Sequence, residues 1–455
     1  MKTLALLGGP KAVTMPLKSS VVIDDDERRL VNEVLDRGEL SRFMGSPIPG
    51  IEDVLVMPSA AAENYSPQYF TFLGGRMVRR FEAEAARYFG VKYMVSANSA
   101  TSCLSMALAA AGIGPGDEVI TTCMSFNATA MSVLMFNSIP VFVDVSADNF
   151  CLDPEAVARA VTPRTKAILV VHLLGFSADM EAIMAIAERH RLVVIEDCAQ
   201  APGTKSNGRY VGTIGQAGVF SLQETKNFQT GEGGLLATND PAIARKARLI
   251  RNHGESVPDA SWSDEDLANV VGFNFRMTEL TAAFGVGQMG KLSENNRVRA
   301  DNARYLTKAL SGIPGLMPVP FKPDWVPHIL PMLYDAEATG VPRALVLRAL
   351  REEGVPVGSG YTRLMYENPL FVRQVAYGRH GCPWKCAGEG YTAPAHPCPT
   401  AEDLLRHRFI WFYHINRPNG LAEMEQVVEA FRKVFSSLEE LKNCPQGEVA
   451  LGYKW

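Results

Sequence analysis

The sequence predicts an α/β protein: a large domain built on a mostly parallel sheet, followed by a smaller α+β domain. Three observations carry this expectation. Between about 90 and 240, short β-branched runs alternate with helical segments. Those runs are apolar throughout, as strands covered on both faces require, and do not alternate with polar residues. At 455 residues the chain also exceeds the size at which one hydrophobic core stops growing. The expected divisions are an N-terminal segment at 1–74, a large domain at 75–300 and a small C-terminal domain at 301–455.

The chain opens with "MKTLALLGGPKAVTMPLK", whose short apolar run breaks at Gly8-Gly9-Pro10. That pattern is too short for a secretory signal. No stretch approaches the roughly 18 apolar residues of a membrane span, so a soluble cytoplasmic protein is expected. Residues 44–72 contain four prolines and "SAAAENYSP", which read as a long irregular loop. Strands are predicted at 118–122, 140–145, 167–175 and 192–197, with helices at 101–111, 127–137, 154–160 and 178–190 between them. A long helical stretch from 276 to 312 links to the C-terminal part, where "ALVLRALREEGVPVGSG" and a helix near 421–440 suggest an α+β layer. No internal repeat or low-complexity region stands out.

Hydrophobic residues make up 47% and charged residues 21%, the balance of an ordered globular chain. A net charge of −4 gives no electrostatic reason to expect nucleic acid or an anionic membrane as partner. Cys382, Cys386 and Cys398 are spaced C-x3-C-x11-C, which matches no zinc pattern, so reduced thiols and no metal are expected.

Function in parallel α/β sheets gathers at the carboxyl ends of the strands, and several reactive residue types fall there. Asp197 ends an apolar strand in "VIEDCAQAPG". It is either a cap or turn residue or a carboxylate set against a cationic ring nitrogen. Gln200 could offer its amide to the same ligand. In "VSANSATSCLSMAL", Ser99, Ala100 and Thr101 lead from a strand into a helix, where free N–H groups and the helix dipole bind phosphate. Such residues also form ordinary N-caps. Ser221 could give a second hydroxyl, and Phe126 could stack on a flat ring or simply join the core. Lys226, in "FSLQETKNFQTGEGG", is either a solvated turn lysine or a buried amine. An amine, a carboxylate, two phosphate-binding stretches and an aromatic together suit pyridoxal phosphate, whose aldehyde a lysine holds and whose ring withdraws electrons.

In these motifs the sequence resembles the pyridoxal-phosphate aminotransferases of the DegT/StrS type, which act on keto-sugars and keto-cyclitols. The carriers are "NSATSCLSMALAAAGIGPGDEVI", "VHLLGFSADMEAI", "IEDCAQAPG", "GVFSLQETKNFQTGEGG" and "GFNFRMTELTAA". The resemblance implies the type I fold of pyridoxal-phosphate transferases, with a mixed, mostly parallel seven-stranded sheet. It implies Lys226 as Schiff-base lysine and proton shuttle, with Asp197 on the pyridinium nitrogen. It also implies Gln200 at the ring 3-oxygen, Phe126 stacked on the ring, and Ala100, Thr101 and Ser221 on the phosphate. Asn274 would reach the cofactor of a neighbouring subunit, giving a homodimer with shared sites. Where this chain has Ala100 the family usually has Gly, and at Leu222 it usually has a different apolar or aromatic residue. Tyr361, Arg363 and His414 are candidate substrate contacts, and Glu224 reads as a solvated charge.

The implied reaction is a two-step transamination from glutamate or glutamine, through pyridoxamine phosphate, to a ketone on a sugar or cyclitol. Two other readings are a dehydratase on the same fold, in which the lysine is replaced, and a non-catalytic regulatory protein. The presence of Lys226 and Asp197 argues against both.

Overall fold

The computed structural model describes residues 3–18, 21–44, 54–64, 72–255, 270–378, 380–388, 391–393 and 395–444. Seven strands form the main sheet: β1 (Tyr93–Ala97), β2 (Glu118–Thr122), β3 (Ile139–Val143), β4 (Thr165–Val171), β5 (Val193–Asp197), β6 (Ala217–Ser221) and β7 (Gly234–Thr238). Their order is β1-β7-β6-β5-β4-β2-β3. β7 alone runs against its neighbours: it pairs antiparallel with both β1 and β6, while β6, β5, β4, β2 and β3 pair in parallel. The sheet is therefore mixed and mostly parallel, as the type I fold requires.

Helices cover the sheet because the apolar strands need burial on both faces. The ones that matter most here are α1 (Asp25–Arg37), α2 (Arg76–Phe89), α3 (Ala100–Ala110), α4 (Ala128–Leu134), α5 (Glu279–Met289) and α6 (Leu292–Leu310). Asp24 starts α1 with a capping box to Glu27, and Gly38 ends it in the left-handed region at φ 67°. The helical stretch expected from 276 to 312 is two helices, α5 and α6, which part at Gly290 and Lys291. The strand expected at 167–175 stops at Val171. Leu174 there takes φ 57°, which an extended strand cannot accommodate.

A second, four-stranded antiparallel sheet lies in the C-terminal part: β8 (Leu316–Pro318), β9 (Leu330–Tyr334), β10 (Val357–Gly358) and β11 (Phe409–Phe412), in the order β8-β9-β11-β10. One apolar core runs continuously from beneath β2 and β4 into this sheet, through Ile168, Leu173, Phe150 and Phe409. The N-terminal residues join that core as well. Leu4 is buried, and the carboxylate of Glu353 accepts from the N–H groups of Ala5 (2.7 Å) and Ala12 (2.9 Å) and from Lys433 Nζ (2.8 Å).

Of the loop expected at 44–72, residues 45–53 and 65–71 lie outside the described residues. Between them, Val54–Val56 and Ser59–Ala62 form short helical turns, and Ser59 Oγ exchanges hydrogen bonds with the Met94 backbone (3.1 and 2.8 Å). The cysteine expectation is corrected at one place. Cys382 and Cys386, whose Cα atoms a tight turn brings to 5.2 Å, are joined by a disulfide. The other six cysteines are free thiols. No helix among the described residues is long and apolar enough to cross a membrane.

The large unit is tied together by a buried ion pair. Glu82 on α2 accepts from Arg251 Nη1 (2.7 Å) and from the N–H and Oγ of Ser96 on β1 (2.8 Å each). Arg251 has no exposed surface and Glu82 only 1%. Removing one partner leaves a dry, uncompensated charge. Glu82→Ala should therefore cost about 3–5 kcal/mol, read as a fall in the chemical or thermal unfolding midpoint. A loss below about 1 kcal/mol would show that water reaches Arg251.

Candidate active site

Alternation along β5 sends Glu196 and Asp197 to opposite faces. Glu196 is fully buried and accepts from Gly212 (2.7 Å), Ile214 (2.7 Å) and Gly215 (2.7 Å) N–H groups and from His172 (3.1 Å). The N–H of Ala178 donates to His172 Nδ1 (3.2 Å), which leaves the ring proton on Nε2, facing Glu196. Burial alone would raise the Glu196 pKa, but these donors outweigh it and hold it below the usual value. Glu196 is thus a fastening for the loop after β5, while Asp197 is free to face the site.

Asp197 is buried at the carboxyl end of β5. Its Oδ2 accepts from Thr129 Oγ1 in the first turn of α4 (3.0 Å), and its Oδ1 from the Ala199 N–H (3.1 Å). Burial raises its pKa, against the pull of those two donors and the Lys226 charge. Gln200, three residues on, is fixed at both ends of its amide. Its Oε1 accepts from the Leu174 N–H (2.8 Å), and its Nε2 donates to the Tyr361 hydroxyl (3.0 Å).

Lys226 sits in the loop that joins β6 to β7. It is half-buried, and what remains exposed faces a pocket shared with Glu224, Asn295, Arg299, Tyr413 and Arg417. Loss of solvation lowers its amine pKa to about 8; the Asp197 carboxylate resists this, and the Arg299 guanidinium adds to it. The loop is braced from below: the Tyr413 hydroxyl donates to the Thr225 carbonyl (2.5 Å), and Asn227 donates to Asn296 Oδ1 (3.1 Å). Lys226 is therefore not a fully solvated turn lysine.

The turn before α3 has the form of an anion cradle. Ser99 caps the helix by accepting from Ser102 N–H (3.1 Å), while the N–H groups of Ala100 and Thr101 have no partner among the described residues. Gly234, the first residue of β7, pairs with Ala97 on one side and Ser221 on the other. A Cβ at Gly234 would lie 2.5 Å from the Ala100 nitrogen, so only glycine allows β7 to pass this close. Ala100, Thr101 and Ser221 are thereby brought to one place. Phe126, after β2, keeps 67% of its surface exposed, unlike the core aromatics around it.

The remaining expected residues divide. Tyr361 joins the site through Gln200. His414 is buried beside Tyr413, with rings 5.6 Å apart, and burial together with the Arg299 charge lowers its pKa to about 4. Arg363 is exposed and makes no hydrogen bond or ion pair among the described residues. Asn274 is exposed, bridges Asn252 and accepts from the Arg276 N–H (3.4 Å), with no bond to Lys226 or Asp197 among the described residues. Glu224 is exposed at the pocket rim, as a solvated charge should be. Sequence reasoning missed Thr129, Arg299, His328 and Tyr413, which come from α4, α6 and the C-terminal part. Two buried groups of metal-ligand type also occur, Cys123–Asp144–Cys398 and His172–Glu196–Cys198. Their carboxylates are already taken up by backbone donors, at Thr400 and Ala401 in the first and Gly212, Ile214 and Gly215 in the second.

The DegT/DnrJ/EryC1/StrS aminotransferase family matches residues 60–406. The chain belongs to that family. The aminotransferase is similar to L-glutamine:2-deoxy-scyllo-inosose aminotransferase of Streptoalloteichus tenebrarius, 36% identical over 380 residues, covering 80% of this chain and 87% of that one. It is also similar to the putative L-glutamine:3-amino-2,3-dideoxy-scyllo-inosose aminotransferase of the same organism, at 32% identity over 452 residues, 96% of this chain and 99% of that one. Among solved structures, DesI in the presence of its TDP-sugar product superposes with a TM-score of 0.76 at 26% identity, covering 96% of this chain and 97% of that one.

The lowered Lys226 pKa has a direct test. Reductive methylation of Lys226, followed by peptide mass, should rise with pH through a midpoint near 8, well below the 10.5 of an ordinary lysine. Asp197→Asn removes the anion that favours the charged amine, so its midpoint should fall further. A midpoint that stays put or rises in Asp197→Asn would show that the two groups do not interact.

Proposed function

We propose that this aminotransferase carries an amino group from L-glutamine or L-glutamate to the ketone of a cyclitol or sugar, using pyridoxal phosphate. The observation that carries the reading is the pairing of a depressed amine at Lys226 with a buried carboxylate at Asp197. The site suits the cofactor on its own geometry. The partnerless N–H groups of Ala100 and Thr101, the Ser221 hydroxyl and the space left by Gly234 would hold the phosphate. Asp197 would meet the ring nitrogen, Gln200 the 3-oxygen, and exposed Phe126 one ring face. Asn274 would serve a partner's site, in a homodimer.

When bound, the cofactor supplies an aldehyde to hold the amino group and a ring that withdraws electrons from the reacting carbon. The chain's own residues do the rest. An amine with a pKa of about 8 is deprotonated in useful amount near neutral pH, so Lys226 Nζ could take the proton from the donor's α-carbon and deliver it to the cofactor-side carbon. The Asp197 carboxylate, held by Thr129 and Ala199, would favour the protonated form of a ring nitrogen placed beside it. Gln200, held by its bond to the Tyr361 hydroxyl, would position the opposite edge of the ring. Relatives named for L-glutamine and scyllo-inosose derivatives favour a keto-cyclitol as acceptor over a nucleotide-linked sugar.

The assay pairs L-glutamine with scyllo-inosose, 2-deoxy-scyllo-inosose or a nucleotide-linked 4-keto-hexose, and detects the aminated product by mass. Product from at least one cyclitol is expected, and Lys226→Ala should lower turnover by roughly two to four orders of magnitude. Wild-type protein that aminates none of these ketones would refute the reading.

A further inference from the structure

Arg299 on α6 is only 2% exposed, yet no carboxylate lies within ion-pair distance of it among the described residues. Its Nη1 donates to the His328 carbonyl (2.9 Å), and its guanidinium stacks over the Tyr413 ring at 5.4 Å. Both partners are neutral. Arg251, equally buried, shows the usual arrangement, with Glu82 at 2.7 Å. A guanidinium taken out of water without an anion is costly, and the cost is offset only when an anion arrives.

The pocket that Arg299 lines has Lys226 on its wall and Arg417 and Asn295 towards its rim, where Arg417 Nη1 donates to Asn295 Oδ1 (3.4 Å). Its basic and acidic walls are Lys226, Arg299 and Arg417 against one carboxylate, exposed Glu224. The phosphate cradle is built elsewhere, from the ends of β1 and β6, and makes no demand on this charge. His328, in contact with the same group, is held neutral by burial and by the charges of Lys226 and Arg299, so it adds no competing cation.

We propose that Arg299, assisted by Arg417, binds the α-carboxylate of the amino donor. This rests on the transaminase reading. Lys226 must reach the donor's α-carbon, and the carboxylate is one bond from that carbon, so a buried cation in the same pocket lies where the carboxylate falls. A keto-cyclitol carries no such anion. Arg299 therefore separates the two half-reactions, holding the donor and contributing little to the acceptor.

The test uses the holoenzyme with L-glutamine and with L-glutaminamide, whose carboxylate is replaced by an uncharged amide. Wild type should prefer the acid by about ten- to a hundredfold in kcat/KM. Arg299→Gln should lose most of that preference with the acceptor KM unchanged, Arg299→Lys should keep part of it, and Arg417→Gln should raise the donor KM less. A readout independent of turnover is the pH midpoint of Lys226 methylation in the cofactor-free protein, where the amine is not held in a Schiff base. Glutarate should raise it in wild type, by offsetting the guanidinium charge, and should not in Arg299→Gln. If Arg299→Gln does not fold, the wild-type comparisons still decide. Equal use of the two donors by wild type, or an Arg299→Gln effect confined to the acceptor KM, overturns the proposal. Failure to aminate any ketone would instead strike the transaminase reading, because the glutarate measurement needs no turnover.

Discussion

β7 threads between β1 and β6 with its first residue, Gly234, against the backbone of Ser99 and Ala100. The loop bearing Lys226 is the connection from β6 into that same strand, so the close approach at Gly234 sets where the loop begins and ends. A side chain at this point would push the Ser99 turn away from Ser221 and pull the lysine loop with it. The close approach of β7 to the Ser99 turn thus depends on one missing methyl group. The single reversed strand in an otherwise parallel sheet is what makes that arrangement possible.

Around this frame the site works by withholding water. Asp197 and Lys226 are each held where solvation is poor, and their pKa values move in opposite directions for the same reason. Neither shift runs to its limit, because each group partly stabilises the other's charge. Thr129 and the Ala199 N–H keep Asp197 oriented, while Tyr413 and Asn227 keep the lysine loop down. Glu196, one residue from Asp197, has no chemistry left to offer, because three backbone donors and His172 occupy it. Adjacent acids in one strand therefore serve opposite purposes, decided by which face each meets.

Much of this was legible in the chain. The apolar strand runs marked the sheet, and "VIED", "NSAT" and "SLQETK" placed a carboxylate, a helix start and a lysine at strand ends. Periodicity did less well at the edges. It ran α5 and α6 together, because the break at Gly290 and Lys291 depends on how each helix packs. It extended β4 to 175, because nothing local announces the left-handed Leu174. The disulfide between Cys382 and Cys386 was missed since spacing says nothing of the turn that brings the two together. Arg299 and Tyr413 were missed for a similar reason: a basic residue in "NNRVRAD" and an aromatic in "WFYH" look ordinary until burial removes their solvent.

By itself the sequence determined the fold class, the family and the strand ends at which Asp197 and Lys226 stand. These follow from local pattern: apolar runs, small residues at helix starts and polar residues at strand ends. Only the tertiary structure decided the electrostatics. Whether Lys226 is an ordinary lysine or an amine with a pKa of about 8 depends on which groups from β5, α6 and the C-terminal part surround it. Desolvation and Coulomb interaction act through space, between residues tens to hundreds of positions apart, and no window of sequence contains them.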